Sequence, residues 1–162
     1  MADPATVGNA TSYQHLSKGA SMYLYVIGAQ GRKEYQYHCV MAKIGIAQNA
    51  EKRLSSMQTG SPDVLSFIML FECENAREIE QQIHTIIKGI DTHNLQPVKL
   101  CIRGEWFFVN LNICHLILDV MAYFGKSPTC LIDNRCIWWP MFSHLKLDTL
   151  DDGLKAYEGI ER

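Results

Sequence analysis

At 162 residues, with 48% hydrophobic residues and a formal net charge of −2, the chain can bury one sizeable core but lacks the overall basic charge of a non-specific nucleic-acid binder. Any phosphate binding must therefore come from a local group of cations. Residues 1–20 hold no apolar signal-peptide core, and no later run reaches the roughly 18 apolar residues of a membrane span, so a cytoplasmic protein without membrane contact is expected.

The first 20 residues read as a flexible segment. Met22-Tyr23-Leu24-Tyr25-Val26-Ile27 is uncharged and strand-prone, as a central strand would be. Gly28 to Lys33 supplies turn residues and two cations, Arg32 and Lys33. The chain then climbs through Tyr35-Gln36-Tyr37-His38 into a second strand, where Val40, Ala42, Ile44 and Ile46 alternate with Met41, Lys43 and Gly45. Asn49 is placed to cap a helix carrying Lys52, Arg53, Leu54 and Met57, and Gly60-Ser61-Pro62 stops it. A cation on a strand end and another in the first turns of a helix can converge on one anion. The plainer alternative is a strand-to-helix connection with two solvated cations.

Val64 to Glu72 is apolar on both faces and predicts a strand covered by two layers. Asn75-Ala76-Arg77-Glu78 has the capping-box pattern, and Ile79, Ile83, Ile86, Ile87 and Ile90 recur at helical spacing behind it. On another face of that helix Glu80, His84 and Lys88 recur every fourth residue, as in an exposed charge ladder. A loop with Pro97 leads to Leu100–Asn110, whose Trp106, Phe107 and Phe108 close the core from one edge. A third helix is expected over Ile113–Phe124. Beyond Pro128, the cluster Trp138-Trp139-Pro140-Met141-Phe142 either folds back on the core or forms a patch for a protein partner or self-association. The six cysteines have no paired Cys-x-x-Cys spacing and read as reduced thiols; Cys130 and Cys136 with His115 or His144 match no metal spacing.

This order of parts resembles the GIY-YIG endonuclease superfamily. Tyr23-Leu24-Tyr25 stands where that family has Gly-Ile-Tyr, and Lys43-Ile44-Gly45 where it has Tyr-Ile-Gly. Arg53 follows the motif glycine at the spacing of the catalytic arginine, and Glu80 stands at the metal-binding glutamate. The pattern Ala-Lys-Ile-Gly-Ile-Ala, then Glu-Lys-Arg-Leu, then Ala-Arg-Glu-Ile-Glu-Gln-Gln-Ile-His, then Gly-Glu-Trp-Phe is similar to the phage-type, orf172-like branch. Tyr23 replaces the first glycine, and Asn110 is the counterpart available for the family's asparagine. The resemblance implies an α/β (α+β) fold with a small central three-stranded antiparallel sheet flanked by helices. It implies a nuclease domain over 21–112, and residues 113–162 are then a helix and an aromatic-rich extension.

The implied function is a metal-dependent DNA endonuclease of the phage, mobile-element or restriction type. Tyr25 would be the base, Lys43 would favour its phenolate, Arg53 would clamp phosphate, and Glu80 would hold one Mg²⁺ or Mn²⁺. His38, His84 and Asn110 are accessory candidates, and Arg32, Lys33 and Lys52 would contact DNA. The runner-up is a silent module of the same fold that binds nucleic acid or a protein.

Overall fold

In the computed structural model, which describes residues 21–34, 38–93, 95 and 99–139, the first strand is longer than its apolar run: β1 covers Met22–Glu34 and pairs antiparallel with β2, Cys39–Ala47. Gly28 is not a turn glycine. The ladder shifts register between Gly28 and Lys33 and resumes as Lys33↔Val40 and Glu34↔Cys39, so residues 28–34 extend the strand. On its other edge β1 pairs antiparallel with β3, Leu65–Cys73, whose burial on both faces follows from the apolar sequence.

These three strands are the expected central sheet, but they form only half of it. The sheet has six strands in the order β4-β5-β2-β1-β3-β6. Leu100–Asn110 splits into β4, Cys101–Arg103, and β5, Trp106–Val109, because Gly104 turns the chain at φ 60, a conformation only glycine adopts freely. At the far edge, β6, Thr129–Asp133, pairs with β3. The three-stranded expectation is therefore corrected: two short hairpin strands and a C-terminal strand were too brief or too polar to show as apolar runs.

Helices cover both faces. On one, Leu24, Val26, Val40, Ala42, Ile44, Ile68 and Phe107 pack with α2, Ala76–Thr92, and α3, Leu111–Phe124. The buried stripe of α2, Ile79, Ile83, Ile87 and Ile90, is the one its periodicity predicts. On the other face, Tyr25, Ile27, Ala29, Leu65, Phe67 and Leu70 pack with Ala50, Leu54 and Met57 of α1, Ala50–Thr59. Asn49 caps α1 as expected, accepting the Lys52 N–H at 2.8 Å. Asn75 does not act as the expected cap of α2. Its side chain instead donates to the Phe124 carbonyl at 2.7 Å and accepts the Lys126 N–H at 3.0 Å, tying the start of α2 to the end of α3.

The core runs on past residue 112. Ile113, Cys114, Ile117, Val120 and Met121 are buried with α2, and the short helix α4, Arg135–Trp138, leads into a buried Trp139. The Trp139 indole donates to the His38 carbonyl at 2.7 Å, and Trp138 fills the space above Gly28, where an added Cβ would stand 2.5 Å from its ring. Trp138 and Trp139 thus fold back onto the β1–β2 hairpin; Pro140, Met141 and Phe142 lie outside the described residues. Arg135 grips the Asp133 carboxylate with two N–H groups at 2.9 and 2.8 Å and donates to Nδ1 of the buried His115 at 3.0 Å, fastening β6 to α3.

Candidate active site

The site lies where the sheet loses a strand. β5 accompanies β2 only from Val40 to Lys43, and the Gly104-Glu105 turn then closes onto β2 through the Ile44 N–H, which donates to the Glu105 carbonyl at 3.2 Å. Past that point the outer edge of Gly45–Ala47 has no β5 partner. A cleft of about 310 Å³ opens there, lined by Tyr25, Ile46, Arg53, Arg77, Glu80, Gln81 and Glu105.

Each side chain reaches the cleft for a local reason. Tyr25 pairs with Gly45 across the β1–β2 ladder, and the missing Cβ of Gly45 makes room for the phenol: a Cβ there would stand 2.6 Å from the Tyr25 hydroxyl. Arg53 is the fourth residue of α1, and helical side chains lean toward the helix start, here toward the end of β2. Its Nε donates to the Tyr25 hydroxyl oxygen at 3.2 Å. That bond, with the charge interaction behind it, raises the Arg53 pKa above its ordinary value. Arg77, Glu80 and Gln81 share one face of α2 by their spacing of three and four residues.

Glu80 is not part of an exposed ladder. It is half-buried, and burial raises its carboxyl pKa; the nearby Glu105 charge raises it further, while Arg77 and Lys43 pull it down. His84 lies tilted against Phe107 with ring centroids 5.0 Å apart, and its Nε2 is 3.1 Å from the Ile44 carbonyl. A carbonyl only accepts, so Nε2 carries the proton. Burial lowers the His84 pKa, with the Ile44 bond opposing. His84 supports the β2 edge from below and does not line the cleft.

The structure brings Tyr25, Arg53 and Glu80 into one cleft and places the other expected residues elsewhere. Lys43 is opposite Ile27, not Tyr25, and its ammonium pairs with the Glu105 carboxylate at 3.0 Å. Asn110 caps α3, its Oδ1 accepting the Ile113 N–H at 2.9 Å. His38 sits near the hairpin tip at φ 52 with its carbonyl engaged by Trp139. Lys52 is exposed beside Arg53 on α1, and the side chains of Arg32 and Lys33 lie outside the described residues. Two charged cleft residues had been given no role: Arg77 was read within a capping pattern and Glu105 within the Gly-Glu-Trp-Phe pattern, both only as marks of the resemblance. The Gly-Glu pair before an aromatic strand was the available sign of a tight turn that projects a carboxylate.

With this geometry in view, comparison of the sequence with family models decides the membership: residues 22–122 match the T5orf172 domain. The chain belongs to that family. The T5orf172 domain is phage-associated and related to nucleases of the GIY-YIG and HNH types. No curated protein and no solved structure gives a significant match. The match contains all seven cleft residues and ends inside α3, so β6, α4 and Trp139 are packed onto the T5orf172 domain from beyond it.

The donor set suits a small hard cation. Glu80 and Glu105 both line the cleft, and burial together with the Glu105 charge disfavours the ionised Glu80 there, a cost that a bound divalent cation would offset. Among the described residues no group of three or more His, Cys, Asp or Glu side chains is gathered, so protein oxygens would fill only part of such an ion's shell. Mg²⁺ commonly keeps several waters in this way. Among the described residues no helix is long and apolar enough to cross a membrane.

Proposed function

We propose that this T5orf172 domain is a metal-dependent DNA endonuclease with a GIY-YIG-like site built on Tyr25, Arg53 and Glu80. The observation that carries this reading is the convergence of a phenol, a guanidinium and a desolvated carboxylate from three elements on one open cleft.

Hydrolysis of a phosphodiester needs a base for the attacking water and positive charge for the developing phosphorane. The Arg53 N–H aimed at the Tyr25 oxygen fixes the hydroxyl at the cleft and leaves that oxygen a second lone pair to accept a hydrogen bond. The remaining guanidinium N–H groups can hold two non-bridging phosphate oxygens in their planar fork. Arg77, across the cleft on α2, adds a second cation for the backbone of the substrate. Glu80 would hold Mg²⁺ or Mn²⁺, which when bound would offset the charge gathering on the phosphate. Gly45 keeps the space over the phenol clear, and Asn49 fixes the start of α1 so that Arg53 meets Tyr25.

Lys43 has a different part from the one its place in the motif implies. Its charge is matched by Glu105, so it orients a carboxylate at the cleft. DNA is the substrate in this reading, bound through the local cations Arg53 and Arg77 and not through the overall charge. The test is incubation of the purified chain with supercoiled plasmid, with and without Mg²⁺ or Mn²⁺. Nicked or linear product should form only with the metal. Intact plasmid under every metal condition, from a folded protein that binds DNA, would favour the silent nucleic-acid-binding module.

A further inference from the structure

Glu105 is the residue of the cleft that neither motif position nor family membership assigns a role. It sits at a rigid corner: Gly104 turns the chain at φ 60, and the Ile44 N–H pins the Glu105 carbonyl at 3.2 Å. Its side chain is half-exposed, lines the cleft with Tyr25, Arg53 and Glu80, and is held at 3.0 Å by the Lys43 ammonium. Lys43 is itself largely buried, with 16% of its side chain exposed, so this pair has less freedom than a surface ion pair. Two acidic groups on different elements, one on α2 and one on the β4–β5 turn, therefore share one cleft.

We propose that Glu105 is the second protein ligand of the divalent-cation site, facing Glu80 across the cleft, and that Lys43 is the positioning residue that sets the Glu105 carboxylate in place. The inference rests on the endonuclease reading and extends it from one metal-holding carboxylate to two. The opposing account is purely structural: Glu105 would serve only to neutralise Lys43. Glu105 lines the cleft together with Arg53 and Glu80, which puts its side chain on the cleft wall and not merely beside the lysine. A ligand pair from a helix and a turn, with water completing the shell, suits Mg²⁺ and Mn²⁺.

The test reads metal binding without catalysis. Full-length wild type, Glu80→Gln and Glu105→Gln are titrated with Mn²⁺, and free Mn²⁺ is followed by electron paramagnetic resonance, with folding checked by circular dichroism. The expected result is a Kd for Mn²⁺ raised at least roughly tenfold in each variant, as for loss of a charged ligand. Should Glu105→Gln alone fail to fold, Lys43→Met combined with Glu105→Gln removes the ion pair whole and carries the same expectation. Wild-type affinity in the folded Glu105 variant, with affinity lost in Glu80→Gln, would overturn the role of Glu105 and leave the endonuclease reading standing. Absence of Mn²⁺ binding by wild type at millimolar concentration would overturn both the two-carboxylate site and the metal part of that reading.

Discussion

The hydroxyl of Tyr25 lies over Gly45, the residue it pairs with across the β1–β2 ladder, so closely that an added Cβ would stand 2.6 Å from the oxygen and 2.9 Å from the ring carbon that bears it. Tyr25 is 1% exposed, in the buried cluster that also holds Ile27 and Ala50, so its ring has little room to retreat. Gly45→Ala should push the phenol away from Arg53. Overpacking of this kind costs about 1–3 kcal/mol. We expect a lower unfolding midpoint together with cleavage reduced roughly tenfold or more, since small misplacements of a reacting group have large rate effects. Thermal unfolding and plasmid cleavage of the variant check this, and full activity would show that the Tyr25–Arg53 contact is not needed.

Glu80 should weaken the fold that it serves. Its folded-state pKa is raised, by burial first and by Glu105 second, so the folded state holds the proton more tightly than the unfolded chain does. The ionised carboxylate therefore costs stability above its raised folded-state pKa, and that cost fades as pH falls toward the ordinary glutamate value of about 4.3. Glu80→Gln should unfold at a higher temperature than wild type at pH 7, with the difference closing by about pH 4. Thermal unfolding at the two pH values measures it. A variant less stable than wild type at pH 7 would contradict the assignment of Glu80 as a desolvated, charge-crowded group.

The C-terminal segment should be part of the folding unit. Ending the chain at Gly125 removes β6, uncovers the edge of β3, and deletes Trp138 from above Gly28 and Trp139 from the core. Full burial of one large side chain contributes roughly 1.5–3 kcal/mol. The truncated chain should lose most of its stability or fail to fold. Trp139→Phe, which keeps the ring but gives up the hydrogen bond to the His38 carbonyl, should cost about 1 kcal/mol. Circular dichroism melts of both chains decide, and a truncated protein as stable as the full chain would put the domain boundary at the end of α3.

Much of this arrangement was legible in the sequence because it follows from local rules. The strand alternation around Ile44, the Asn49 cap and the isoleucine period of α2 depend on neighbouring residues alone, and they place Tyr25, Arg53 and Glu80 on the correct elements. What stayed hidden depends on partners distant in the chain. Lys43 could be assigned to Tyr25 only by assuming a register; the actual ladder puts it two pairs along, opposite Ile27, and gives its charge to Glu105, 62 residues later. Asn110 and Asn75 show the same limit. Either could cap a helix or serve elsewhere, and Asn110 caps while Asn75 bridges α2 to α3. Short strands such as β4 carry too few residues for periodicity to register, and their existence rests on a glycine turn closing onto β2.

The central claim is that Tyr25, Arg53 and Glu80 act together on a phosphodiester. The most direct measurement is the rate of supercoiled-plasmid cleavage at fixed Mn²⁺ and salt by wild type, Tyr25→Phe, Arg53→Lys and Glu80→Gln, each shown to be folded. Arg53→Lys keeps the charge but loses the fork, Tyr25→Phe keeps the ring but loses the hydroxyl, and Glu80→Gln keeps the shape but loses the charge. Each should fall by roughly 100-fold or more, the loss typical of a donor or proton carrier acting at the transition state. Cleavage at the wild-type rate by any one of these folded variants would contradict the account of that cleft as the active site.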